Sequence, residues 1–255
     1  MNVFITGASS GIGAALAREF AGRGATLGLV ARRQAVLDEL ADRLPGVHRT
    51  YAVDVTDKDA IVAAGRDFDA ASGGADLVIA NAGISVGVLT EHYEDLDAFR
   101  QVLETNVLAM AYTFHPFIAP MRHRRRGTLA GIASVAGIRG LPGSEAYCAS
   151  KAAAISYLES LRVELRRFGV RVVTIAPGFV RTPLTARNPY RMPFLMAPEA
   201  FARAAANAML AGTSYRVIPW QMAFVAKLLR ALPNWAFDRL MANRPYKPRK
   251  TEPSP

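Results

Sequence analysis

Tyr147 and Lys151 stand four residues apart in "EAYCASKAAA" (145–154), a run made mostly of small residues. On a helix, residues four apart share a face, so a phenol and an ammonium at this spacing can point into one cleft. A free phenol titrates at about 10, and a nearby cation favours the phenolate, bringing the group toward a useful range for proton transfer. Ala149, Ser150, Ala152 and Ala153 let a ligand or a second helix approach closely. The pair reads as a tuned acid/base, although Y-x-x-x-K taken alone recurs by chance as an ordinary exposed pair. Ser134 supplies context. It ends an apolar run thirteen residues before Tyr147, where its hydroxyl could hold a substrate carbonyl oxygen beside the tyrosine proton.

A second constellation lies near the start, "TGASSGIG" (6–13), directly after an apolar run and at the opening of a helical one. Gly7, Gly11 and Gly13 leave room for a backbone turn and for a pyrophosphate against a helix N-terminus. The spacing is G-x-x-x-G-x-G rather than the usual G-x-G-x-x-G, so its placement between strand and helix carries the reading. The next strand ends "LVARR", with Arg32 and Arg33 where an NAD-preferring fold usually carries a carboxylate for the ribose hydroxyl. Guanidinium groups suit a 2′-phosphate, which favours NADP(H) over two solvated loop arginines.

These residues need a scaffold, and the chain alternates short apolar runs with longer amphipathic ones. Strands are expected at 2–6, 26–31, 48–55, 76–80, 128–134 and 170–176, with an edge strand at 215–219. Helices are expected at 11–23, 34–44, 57–71, 97–121 and 148–168. The alternation predicts an α/β fold, a Rossmann-type doubly wound parallel sheet with helices on both faces. Residues 1–219 read as one dinucleotide-binding and catalytic domain, interrupted by a Pro-rich segment at 183–198. Residues 220–255 read as a helical extension with a basic tail.

Composition narrows the classes. The 255 residues are 51% hydrophobic and 20% charged, enough for a sizeable core. No apolar run reaches the roughly 20 residues that span a bilayer, and the strand-like start "MNVFITG" leads us to expect no cleaved signal peptide. Cys148 is the only cysteine, which excludes an intrachain disulfide and suggests a reducing cytoplasm; it reads as a passive neighbour of Tyr147. The four histidines have no metal-ligand spacing, so no metal is expected. The net charge of +10 includes one tight run, "RHRRR" (122–126), which lacks interleaved aromatics and reads as a solvated loop rather than a nucleic-acid grip.

Taken together, "TGASSGIG", "NAG" (81–83), "ETNVLA" (104–109), "IAS" (132–134), "YCASK" (147–151) and "PGFVRTP" (177–183) resemble the short-chain dehydrogenases/reductases in order and spacing, over roughly residues 1–185. The resemblance implies Tyr147 as general acid/base and Ser134 as the carbonyl orienter. Lys151 would bind the nicotinamide ribose and lower the tyrosine pKa, and Asn106 would hold a proton-relay water; a plain bridging role for Asn106 stays open. Cofactor contacts would come from Gly7, Ser9, Gly11, Ile12 and Gly13, from Arg32 at the 2′-phosphate, and from Asp54 and Val55 at the adenine. Asn81 and Gly83 would line the adenosine side, and Pro177, Gly178 and Thr182 the nicotinamide. The implied activity is NADP(H)-dependent interconversion of a carbonyl and an alcohol. Two rivals are a cofactor-binding sensor or scaffold without turnover, and an isomerase or dehydratase on the same fold.

The family places its substrate lid at 183–198. There Tyr190, Met192, Phe194, Leu195 and Met196 suggest an apolar substrate, or else ordinary packing. Ala149, Ala153, Ser156 and Ser160 suit close packing of two helices in a homodimer or homotetramer. In the extension, Trp220, Met222, Phe224, Val225, Leu228, Leu229 and Leu232 fill a wide arc with Lys227 and Arg230 opposite. Trp235, Phe237, Leu240 and Met241 follow, then basic residues through Lys250. Packing against the protein is the leading expectation for this arc, and peripheral contact with an anionic bilayer the other.

Overall fold

The apolar runs become strands because both of their faces are covered. In the computed structural model, which describes residues 1–186 and 188–249, seven strands form one parallel sheet in the order β3-β2-β1-β4-β5-β6-β7. They are β1 (Asn2–Thr6), β2 (Thr26–Ala31), β3 (Arg49–Ala52), β4 (Leu77–Ala80), β5 (Thr128–Ile132), β6 (Arg171–Pro177) and β7 (Tyr215–Ile218). β4 and β5 are buried throughout, whereas the edge strands β3 and β7 are partly exposed. The helices are α1 (Gly11–Gly22), α2 (Gln34–Asp42), α3 (Lys58–Ser72), α4 (Asp95–Leu103), α5 (Ala109–Arg124), α6 (Glu145–Arg166), α7 (Pro198–Ala211), α8 (Trp220–Ala231) and α9 (Asn234–Met241).

Alternation along β1 divides the core. Val3 and Ile5 join residues of α1, α2 and α7 on one side of the sheet. Phe4 points the other way, among residues of α3, α5 and α6, with ring centroids 5.5 Å from Phe68 and 5.1 Å from Phe117. The strand order reverses between β1 and β4, which opens a crevice at the carboxyl ends of the strands.

The expected boundaries shift where side chains intervene. β3 ends at Ala52 rather than 55 because Asp54 accepts from the Thr56 amide and hydroxyl, folding the chain into a turn. The helix expected over 97–121 is α4 and α5 joined by a π turn at Glu104–Leu108, and it runs on to Arg124. β5 stops at Ile132; Ser134 then caps a short 3₁₀ turn (Val135–Gly137) by accepting from the Ala136 amide. α6 begins at Glu145, so Tyr147 sits in its first turn rather than just ahead of it. α7 has no counterpart in the sequence reading, although Pro198 starts it and Phe201, Ala205 and Met209 bury one face.

The basic run 122–126 is tied down locally. Arg122 stacks on Phe168, Arg124 pairs with Asp69, and Arg125 donates to the Arg167 carbonyl. The extension packs against the body and also leaves a free face. Met222 lies against Gly178, and α9 buries Phe237 and Met241. Trp220 and Trp235 remain 71% and 75% exposed, along with Phe224 and Leu228. Lys227, three residues after Phe224 and next to Leu228, is exposed at the edge of this stripe. Lys250 lies outside the described residues.

Close packing at the first crossing gives a stability test. A Cβ at Gly28 of β2 would lie 2.6 Å from Phe68 and 2.7 Å from Phe4. Gly28→Ala should therefore destabilise the protein by about 1–3 kcal/mol in urea unfolding, the usual range for overpacking. A wild-type midpoint would contradict this packing.

Candidate active site

The glycine loop joins β1 to α1 at the crevice. Gly7 and Gly11 have φ of +68° and +54°, in the left-handed region. A Cβ at Gly13 would sit 2.1 Å from the Gly7 carbonyl oxygen, so this position must be glycine for the turn to close. Asn81, just past β4, pins the loop by donating to the Thr6 carbonyl at 2.9 Å and to the Gly7 carbonyl. Ser10 makes no side-chain cap, which leaves first-turn amides of α1 for an anion.

A cavity of about 550 Å³ runs from this loop to the end of β6. Gly7, Ser9, Gly11, Ile12, Arg32, Asp54, Val55, Asn81, Gly83, Ser134, Tyr147, Lys151, Pro177, Gly178 and Thr182 all line it. Gly13 shapes the turn from behind, and Arg33 is absent from the lining. Burial pushes the Asp54 carboxyl up, but the Thr56 amide and hydroxyl and the Arg32 charge outweigh it and hold the group below its usual range. The elongated shape, the amide-rich turn and the exposed guanidinium of Arg32 fit a nicotinamide dinucleotide.

At the other end, Lys151 is 4% exposed and donates to the Ile132 carbonyl at 2.8 Å. It pairs with no carboxylate among the described residues, and burial lowers its pKa to about 8. Its remaining donors suit ribose hydroxyls. The Tyr147 ring centroid is 5.8 Å from the ammonium. Burial pushes the phenol up to about 12, opposed by a hydrogen bond with Ser134. The lowering expected from Lys151 is therefore not what this structure has, because desolvation dominates and the ammonium is turned to Ile132. Cys148 is buried and its thiol is likewise pushed up, which keeps it unreactive.

Asn106 sits in the π turn, behind Gly83 and Ile84, and does not itself line the cavity. Its Oδ1 accepts from the Ile84 amide at 2.8 Å, and its Nδ2 donates to the Ile84 carbonyl and to Ser150. Its side chain braces the Ile84 loop against α6. Ile84, Gln101, Glu104, Thr105, Leu184 and Thr185 line the cavity without having been singled out as lining residues. "ETNVLA" held a signal for two of these, since a π turn rotates Glu104 and Thr105 toward the crevice. None of the five apolar lid residues lines the cavity. Met196 packs on the core, Phe194 and Leu195 are exposed, and Tyr190 leans on Phe179.

The family model described as short chain dehydrogenase matches residues 1–191. The chain belongs to this family. It is 40% identical to an uncharacterized oxidoreductase of Myxococcus xanthus, covering 92% of this chain and 93% of the relative. It is 34% identical to the dehydrogenase/reductase SDR family member 7B of Bos taurus, over 99% of this chain and 83% of that one. A short-chain dehydrogenase structure from Streptomyces avermitilis superposes with a TM-score of 0.76 at 25% identity, covering 94% of both chains. The protein is thus an oxidoreductase of the short-chain type, a family that uses NAD(H) or NADP(H) and acts on small molecules. No helix among the described residues is long and apolar enough to cross a membrane.

The buried ammonium sets a pH dependence of stability. Between pH 8 and about 10.5 the folded protein binds fewer protons at Lys151 than the unfolded chain does, so this group makes stability rise with pH. Lys151→Met should flatten the change between pH 7.5 and 9.5 by about 2 kcal/mol in urea unfolding. An unchanged slope would contradict a buried, uncompensated lysine.

Proposed function

We propose that this short-chain enzyme reduces a ketone or related carbonyl at the expense of NADPH. The observation that carries the reading is the convergence of Ser134, Tyr147 and Lys151 at one end of a cavity whose other end is the glycine loop. When bound, the nicotinamide supplies hydride chemistry at the carbonyl carbon. Ser134 holds the carbonyl oxygen. Tyr147, a phenol that burial keeps firmly protonated, gives that oxygen its proton. Lys151 holds the ribose through the donors that Ile132 leaves free. Asn106 works as a positioning residue through Ile84. Ile84, Val180 and Leu184 give the substrate end apolar walls, which supports a substrate with apolar groups beside its carbonyl.

The preference for NADP(H) rests on Arg32, with Ser9 beside the same cavity and no acidic residue in "LVARR". Assembly as a homodimer or homotetramer draws on the exposed Ala149, Ala153, Ser156 and Ser160 of α6. A cytoplasmic setting accords with the single buried thiol. Peripheral contact with an anionic bilayer draws on the Trp220–Phe224–Leu228 stripe with Lys227 at its edge.

Two substitutions test the reading. Tyr147→Phe should lower carbonyl-reduction turnover by roughly 10²–10⁴ with NADPH binding kept, as measured by steady-state kinetics and cofactor fluorescence; near-normal turnover would sink the acid role. Arg32→Asp should shift kcat/KM from NADPH toward NADH. A wild type that already prefers NADH would overturn the cofactor assignment.

A further inference from the structure

Residues 244–249, beyond α9, stay against the body of the molecule. Arg139, in the loop before α6, donates to the Leu232 carbonyl and to Asn234 Oδ1 and stacks on Phe237, fixing the α8–α9 corner. Residues 244–249 then cross three loops at the carboxyl edge of the sheet. The Arg244 guanidinium lies 4.6 Å from the Tyr190 ring centroid in the lid. Lys247 Nζ donates to Ser85 Oγ and to the Leu184 carbonyl, each at 3.0 Å. The Pro248 carbonyl accepts from the Gly87 amide at 3.0 Å. Arg249 bonds the buried Asp95 at 2.8 Å and Glu94 at 3.0 Å.

Two glycines stand where this segment passes. A Cβ at Gly87 would lie 2.0 Å from the Lys247 carbonyl oxygen, and one at Gly143 would lie 2.7 Å from Tyr246. Gly87 does not need a left-handed backbone, so its small size serves the crossing itself. Lys247 is 7% exposed, and both of its partners are neutral. A buried ammonium on neutral partners is costly, which argues against incidental contact.

We infer that residues 244–249 form a strap that completes the substrate side of the cleft, with Arg249 as its anchor and Lys247 as a positioning residue. Lys247 clips the first lid segment, through Leu184, to Ser85. Leu184 and Ile84 both line the cavity with Tyr147, and Ile84 is braced from behind by Asn106. The strap therefore sets the distance between the two walls of the substrate end and determines substrate affinity rather than cofactor affinity. The affinity half of this claim rests on the carbonyl-reductase reading; the architectural half does not.

The test uses the full-length protein, Lys247→Met and Gly87→Ala, followed by amide hydrogen exchange. Both variants should speed exchange at residue 87 and at the lid amides of residues 181 and 196 by tenfold or more, with β4 and β5 amides unchanged. Unchanged lid protection in both variants, or equal acceleration in the strands, overturns the strap. With a carbonyl that the wild type reduces, Lys247→Met should raise its KM about tenfold while kcat and the NADPH KM move less than twofold. Parallel loss in kcat and NADPH affinity overturns the positioning role. If the wild type reduces no carbonyl, the functional reading fails and the exchange result alone decides the strap.

Discussion

A buried ammonium facing a backbone carbonyl is the contact around which this site is built. Lys151 reaches from α6 to Ile132 at the end of β5, and with no carboxylate partner it depends on that one oxygen and on close surroundings. The helix around it is packed as closely. A Cβ at Gly137 would meet the Lys151 backbone at 2.6 Å, so the turn after β5 is glycine where it passes α6. Ser134 is two residues beyond Ile132, and Tyr147 is one turn before Lys151. The contact thus sets the geometry of the chemical groups by fixing α6 against the sheet edge.

Much of this architecture can be read from residue types. Runs such as "DLVIA" are apolar on both faces, which only a covered parallel strand needs, and the seven strands lie close to where the runs are. The glycine loop and the Tyr147–Lys151 pair are equally legible, because a close backbone approach and a helical turn each impose a spacing. What escaped depends on contacts between distant segments. Asn106 has the expected place in the chain, but its direction follows from Ile84 and Ser150, twenty-two and forty-four residues away. The tyrosine pKa has the opposite sign to the pairwise expectation because desolvation is a property of the assembled cleft. The apolar lid residues gave no sign of which way they would face: Met196 turned to the core, Phe194 and Leu195 to solvent, and Tyr190 to Phe179.

The C-terminal segment shows how a shared scaffold acquires an individual substrate end. The cofactor side is made from strand ends and short turns that the sheet itself positions. The substrate side is made from three loops, and loops need something to hold them. Here Arg139 and the segment from Arg244 to Arg249 reach all three, using cations on carbonyls, an aromatic ring and a buried carboxylate. The part of α8 that packs inward, through Met222 on Gly178, brings this segment to the cleft, while its outer aromatic stripe is free for other contacts.

The central claim is that the cleft passes a hydride between a nicotinamide and a carbonyl, with Tyr147 supplying the proton. The most direct measurement follows deuterium from NADPH labelled at C4 into the product of a reduced carbonyl compound, with the cofactor consumed counted alongside. The account predicts one deuterium on the carbinol carbon for each NADPH oxidised, and solvent hydrogen on the oxygen alone. Product formed without label or net cofactor oxidation would assign the cleft to isomerisation or dehydration. Tight NADPH binding with no product from any carbonyl offered would make the protein a sensor, and either result would contradict the account.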